Sequence, residues 1–315
     1  MTPSTRLGSE GDAVGVAILA EAAVDTRGRF AVASPMTVGE ILIYEASGRF
    51  VRTIGRRGGG PGEFEHPVKL RFGPGDSLHV LEEGTGRFTV FTPALEHARS
   101  VTLAGRAFSF ALGRSGQVVA AAPSAAEGRQ FGIQVFSPSG ERLLAFEEVP
   151  AGENAASGAG RRHVALDREG GVWTVRPNRY EIRSYDSQGN LRRTYRGIRD
   201  WISGEPLPTR WDLTRRPPGQ IGALAVDDAG LVWVFAVVPD ANWRPLQPQA
   251  GPPDPSAIYD TLIEVFDPRS GALVAHARVD HLVFPLRSGQ IYGIVPQPSG
   301  DQQVQIWNVT LPRTP

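Results

Sequence analysis

The sequence predicts an all-β protein, a six-bladed β-propeller, and three observations carry that expectation. Thirty-seven glycines and 26 prolines among 315 residues cut the chain into short β-rich runs, the composition of a fold built from many tight turns. A turn followed by a strand-like run recurs six times, which implies six sheets. The last sheet has no outermost strand of its own, because the chain ends after Val304-Gln305-Ile306-Trp307, and the N-terminus offers the missing piece.

In chain order, the turns are Asp25-Thr26-Arg27-Gly28, Gly73-Pro74-Gly75-Asp76, Arg114-Ser115-Gly116, Asp167-Arg168-Glu169-Gly170, Asp227-Asp228-Ala229-Gly230 and Arg287-Ser288-Gly289. Asp bonds its own backbone and Gly supplies positive φ, and both suit a tight strand-to-strand turn. A second series closes each third strand, at Tyr44 to Gly48, Phe91 to Ala94, Phe136 to Gly140, Tyr185 to Gly189 and Phe266 to Gly271. Leu7-Gly8-Ser9-Glu10-Gly11-Asp12 aligns with Ile54-Gly55-Arg56-Arg57-Gly58-Gly59, so the residues before Gly8 stand where an outer strand belongs. Thr2 to Gly8 is therefore expected to pair with Gln303 to Val309, closing the ring and covering an edge that would otherwise template aggregation. The expected organisation is one domain over 1–315. Its blades lie near 18–54, 66–103, 107–147, 163–196, 221–279 and 281–309 plus 2–8, with insertions at 197–220 and 239–260.

Residues 54 to 91 resemble the NHL-type repeat of β-propellers. The stretch contains a glycine-rich connection reading Gly60-Pro61-Gly62-Glu63-Phe64, then Pro67, two strands across a tight turn, and a third strand Arg87-Phe88-Thr89-Val90-Phe91. The resemblance implies a bacterial six-bladed propeller. It does not fix a role, because one fold hosts unrelated activities. Related bacterial propellers are often exported or lipid-anchored. Related six-bladed enzymes include peptide-amidating lyases and gluconolactonase-like hydrolases, which rely on a divalent metal.

Thirty-three basic and 33 acidic residues give zero net charge, so bulk electrostatics points to neither nucleic acid nor a membrane surface. The absence of cysteine excludes disulfides, thiolate metal sites and a cysteine nucleophile. No run approaches the ~18 apolar residues of a transmembrane helix, and the N-terminus lacks the order of a signal peptide. Read literally, this is a cytoplasmic protein. The resemblance tilts the expectation towards a periplasmic or secreted monomer whose export signal is absent from this chain.

Every long connection, at 55–66, 122–130, 147–162, 197–220 and 239–260, joins a second strand to a third or one blade to the next. In propellers these classes share the ligand-binding face, and long ordered connections are usually functional. The two insertions of the fifth blade carry Trp201, Trp211 and Trp243. With Arg57 they suggest a rim for a protein, peptide or glycan. In the competing reading these tryptophans only pack the insertions onto the ring, as Trp173, Trp233 and Trp307 are expected to pack within strands.

Aligning the innermost strands by their distance from the following turn places Glu21, Lys69, Ser109, His163 and Ala223 at one height, with Leu282 in the sixth blade. Glu21, Lys69 and His163 are thus expected to share a pocket at the channel mouth, joined by Arg162, Asp280 and His281, with His66 above. A histidine beside carboxylates suits a general base. Three histidines from alternate blades suggest a metal, but His281 falls one residue early and His66 three, and no H-E-x-x-H spacing supports one. No metal ligand is therefore assigned. The cofactor stays open, with a divalent metal tied to the enzymatic alternative.

Arg56-Arg57-Gly58-Gly59-Gly60 has the ingredients of an anion site. It lacks the lysine and helix of a phosphate loop, and no G-x-S-x-G, Walker or zinc-finger pattern occurs. The leading expectation is a binding or scaffold protein using Trp201, Trp211, Trp243, Arg57, His66 and Arg162. The alternative is a metal-dependent lyase or hydrolase using His163, Lys69, Glu21, His281 and Asp280. RNA binding through Arg56, Arg57, Arg161 and Arg162 stands third, against the balanced charge.

Overall fold

The computed structural model describes residues 1–8, 21–33, 39–65, 67–82, 85–103, 105–126, 129–150, 161–202, 204, 214–245, 255–296 and 302–311. These form six antiparallel sheets in a ring. The first sheet holds β2 (Glu21–Val24), β3 (Phe30–Ala33), β4 (Ile41–Tyr44) and β5 (Phe50–Ile54); the second holds β6 (Pro67–Phe72), β7 (Leu78–Glu82), β8 (Arg87–Phe91) and β9 (His97–Thr102). The third contains β10 (Ser109–Leu112), β11 (Val118–Ala121), β13 (Arg129–Phe136) and β14 (Arg142–Glu148). It differs from the four-strand expectation, because β12 (Ser124–Ala126) also pairs with β13 and turns part of the predicted connection into sheet. The fourth comprises β15 (His163–Leu166), β16 (Val172–Val175), β17 (Glu181–Tyr185) and β18 (Leu191–Arg196). The fifth comprises β19 (Gln220–Val226), β20 (Val232–Pro239), β21 (Tyr259–Phe266) and β22 (Leu273–Val279).

The sixth sheet closes the ring as the sequence predicts. After β23 (Val283–Arg287), β24 (Gln290–Pro296) and β25 (Gln302–Asn308), its fourth strand is β1 (Thr2–Leu7), antiparallel to β25 with Thr2 opposite Asn308 and Leu7 opposite Val304. The Gln305 side chain accepts from Arg6 Nε at 2.8 Å and donates to the Thr5 carbonyl at 3.1 Å. The seam thus joins the two ends of the chain by backbone and side chain together.

The turn chemistry read from sequence operates as expected. Asp167 Oδ1 accepts the N–H groups of Glu169 at 3.0 Å and Gly171 at 2.7 Å, while Gly170 takes φ of 81°. Asp227 Oδ1 does the same for Ala229 and Leu231, both at 2.9 Å. In each case the second carboxylate oxygen accepts the indole N–H of a tryptophan six residues on, Trp173 at 3.3 Å and Trp233 at 2.9 Å. One aspartate therefore shapes the hairpin and orients the large ring that packs beside it.

Six apolar clusters lie between neighbouring sheets. Between the fifth and sixth, for example, Trp233, Phe235, Ile263 and Val265 meet Val283, Ile291 and Trp307. Trp173, Trp233 and Trp307 are all buried. The core is thus a ring of interfaces that leaves a channel along the axis, lined by the innermost strands β2, β6, β10, β15, β19 and β23.

Candidate functional site

The antiparallel order sends connections from second to third strands, and from each sheet to the next, to one face, here called the top. Strand register puts five of the six aligned positions at one height. Glu21 pairs with Ala33, Lys69 with Leu81, Ser109 with Ala121, His163 with Val175 and Ala223 with Phe235. The Glu21 carboxylate is the hub of the channel mouth. It accepts Lys69 Nζ at 2.9 Å, Arg71 Nη1 at 2.6 Å and the Tyr292 hydroxyl at 3.3 Å. Burial pushes the Glu21 carboxyl up, but the Lys69 and Arg71 charges outweigh it and hold the group below its ordinary value. His163 Nε2 donates to the Ile221 carbonyl at 3.0 Å. Burial first, and Lys69 second, press its pKa down to about 4, so the ring is neutral near pH 7.

The remaining predicted residues are more dispersed. Asp280 stands with Asp240 and Asp260 on the rim of the fifth sheet. The His281 carbonyl accepts the Thr261 hydroxyl at 2.7 Å, and its Nδ1 is buried without a partner among the described residues. Arg162 is 1% exposed and its Nε donates to Glu147, the last residue but one of β14, at 2.7 Å. Arg161 is exposed, with its guanidinium 4.9 Å over the Phe108 ring. His66 and Trp211 lie outside the described residues.

Trp201 is half-buried and meets Tyr180 edge-on at 6.2 Å. Arg199 makes a bidentate pair with Glu264, at 2.8 and 3.0 Å, and lies 4.2 Å over the Tyr180 ring. This network pins the start of the insertion to the fifth sheet and seats Trp201 against the core between the fourth and fifth. Trp243 is half-buried in a turn where its backbone N–H bonds the Asp240 carbonyl at 3.1 Å. Its indole N–H is buried with no acceptor among the described residues. Arg57 is exposed on the opposite side of the ring, in the connection from the first sheet to the second.

The glycine run is already filled by the protein itself. Glu63 accepts the Gly60 N–H at 2.7 Å and Arg56 Nε at 2.7 Å, and these contacts hold its carboxyl below the usual range. A Cβ on Gly58, whose φ is 151°, would stand 2.2 Å from Glu63 Oε2. The amides and cation that suggested an anion site thus enclose a carboxylate six residues downstream of the arginine pair's end. Phe64 beside it is 0% exposed and packs under Gly55, where a Cβ would come within 2.8 Å of the ring.

Sequence reasoning passed over the lower end of the channel. An apolar residue stands at or next to the end of the innermost strand in all six sheets, namely Val24, Phe72, Leu112, Leu166, Val226 and Leu286, and each is half-buried. Five of them, all but Val24, line a cavity of 270 Å³. The signal was an apolar residue repeating at one position, visible once the turns were aligned, but hidden among ordinary strand hydrophobics.

Comparison with protein-family profiles and with curated proteins finds no match. Solved structures do match. A member of the DUF4221 family from Bacteroides vulgatus is 12% identical, with 98% of this chain and 96% of that chain covered at a TM-score of 0.59. A protein from Bacteroides fragilis whose name classes it as exported is 8% identical, covering 97% and 94% at 0.60. A catalytically inactive virginiamycin B lyase from Staphylococcus aureus with quinupristin is 10% identical, covering 97% and 99% at 0.54. Likeness at such identity establishes the fold. The chain is a six-bladed β-propeller. No helix of the propeller, among the described residues, is long and apolar enough to cross a membrane.

Proposed function

We propose that this propeller is a recognition module that takes a protein or peptide ligand on its top face, with an acidic group of the ligand seated at the channel mouth. The observation that carries the reading is the state of Glu21. One carboxylate faces Lys69 and Arg71 at 2.9 and 2.6 Å, so this trio bears a net charge of +1. Such a mouth favours an anion, and its cations are partly exposed. Trp243 and Arg57 extend the same face outward. Export from the cytoplasm belongs to this reading, in keeping with the exported class of one structural neighbour.

The alternative, a metal-dependent lyase or hydrolase, takes its support from the lyase among the neighbours and from the neutral His163 at the mouth. The donor set does not fit the metal. Among the described residues no group of three metal-ligating side chains lies at the mouth, and a carboxylate flanked by two cations is a poor ligand for a third. With a pKa of about 4, His163 is also a weak base near neutral pH.

Binding of acidic and neutral peptide libraries to the immobilised protein tests the reading. Acidic peptides should be retained, retention should fall as salt is raised, and Lys69→Ala or Trp243→Ala should weaken it at least about tenfold with the melting transition still cooperative. Retention indifferent to charge, salt and both substitutions would refute it. Turnover that His163→Ala abolishes would favour the enzyme instead.

A further inference from the structure

Away from the channel, the rim of the fifth sheet gathers three carboxylates from three adjacent strands. Asp240 directly follows β20, Asp260 is the second residue of β21, and Asp280 directly follows β22. Because β21 lies between β20 and β22, and neighbouring strands run about 4.8 Å apart, their top ends bring these side chains together. One carboxylate oxygen of each lies within 4.8 Å of the others. Oxygens bound to a single Ca²⁺ stand at most about 5 Å apart, so the spacing matches a shared ion.

Acidic side chains often crowd a surface without purpose, but Asp260 is not on the surface. Its side chain is 3% exposed, and Oδ1 is buried with no hydrogen-bond partner among the described residues. Its other oxygen is committed, accepting Arg278 Nε and the Ala241 N–H. A buried carboxylate oxygen left unsatisfied is costly, and it is the kind of atom a cation completes. The charges agree. Three carboxylates and the Arg278 guanidinium leave a net charge of −2, which one divalent ion neutralises.

The surroundings hold the three groups in place. Arg278 Nη2 donates to the Pro239 carbonyl at 2.7 Å, tying β22 to the end of β20. Thr261 donates to the His281 carbonyl at 2.7 Å and accepts the Val283 N–H at 3.0 Å, which fixes the segment just after Asp280. Asp240 Oδ1 accepts the Asn242 N–H at 2.7 Å, orienting that carboxylate.

We propose that Asp240, Asp260 and Asp280 bind a hard divalent cation, Ca²⁺ foremost, on the top rim of the fifth sheet. An all-oxygen donor set selects Ca²⁺ or Mg²⁺ over softer metals, and Ca²⁺ tolerates the irregular geometry of three strand ends, with water completing its shell. The bound ion would clamp the base of the 239–260 insertion to the crossover entering the sixth sheet. This site is separate from the channel mouth and does not depend on what the mouth binds.

The test uses the full chain, washed with EDTA and titrated with CaCl₂, MgCl₂ or MnCl₂ by calorimetry and thermal denaturation. Saturable heat with Ca²⁺ and a rise of several degrees in Tm are expected, because a ligand of the folded state stabilises it by mass action. Asp280→Asn, at an exposed position, should fold normally and lose at least about tenfold in affinity. Asp240→Asn should do the same. The proposal is overturned if none of the three ions produces heat or a Tm shift up to about 10 mM, or if both variants bind Ca²⁺ as tightly as the parent.

Discussion

His163 and His79 are both held as neutral imidazoles by burial first, aided by Lys69 and Arg99 respectively, each pressed down to about 4. In the unfolded chain they titrate near 6.5. Below that value the unfolded state binds more protons than the folded one, so stability is full above pH 6.5 and falls as the pH drops towards 4. The loss is on the order of 3 kcal/mol per histidine. Urea unfolding at a series of pH values should show this slope, and His163→Gln and His79→Gln should each flatten part of it; a parent profile level across the window would disprove the assignment. Glu21 adds to the same trend at lower pH, because its depressed carboxyl contributes stability that protonation removes. The meeting of Glu21, Lys69 and His163 at one height was legible, since a fixed distance from a recognisable turn sets position along a strand. The burial of Arg162 against Glu147 was not, because it depends on Glu147 adopting a φ of 60°, which no local residue pattern announces.

At the scale of the element, the aspartate hairpins carry the argument. Removing the Asp227 carboxylate strands two backbone donors and the Trp233 indole N–H, which it binds at 2.9 Å. Asp227→Ala should therefore cost about 1–3 kcal/mol, read as a lower midpoint in urea. Trp233→Phe should lose only the indole share, and a negligible effect of Asp227→Ala would show that these bonds do not set the hairpin. Such turns were readable because their chemistry is local. Connections were harder to read, since a crossover is shaped by distant partners. The glycine run invited an anion until Glu63 was found curled back into it, and nothing in a linear pattern says which carboxylate returns. Trp201 likewise owes its half-buried seat against the core to the Arg199, Glu264 and Tyr180 network, partners that no local pattern names.

For the whole molecule, the decisive event is closure. Deleting residues 2–8 would leave β25 with an unpaired edge, so the truncated chain should melt at least about 5 °C lower and self-associate with rising concentration. A truncated protein that stays monomeric and melts with the parent would show that β1 is dispensable. The six sheets and the closing strand were legible because repetition repeats its own evidence six times over. The lower cavity and the carboxylate corner were not, because each is assembled from positions that look ordinary within any single repeat. One consequence follows from Glu21 touching Tyr292 in the sixth sheet as well as Lys69 and Arg71 in the second. The ring is thus fastened at two radii. The outer fastening, within the sixth sheet, is the β1–β25 backbone ladder, indifferent to pH, whereas the inner one, from the first sheet to the sixth, hangs on a single ionised carboxyl. Acid strong enough to protonate a carboxyl held below its ordinary range should therefore loosen the hub before the perimeter, so that the ring first gapes at its axis while its circumference is still sewn shut.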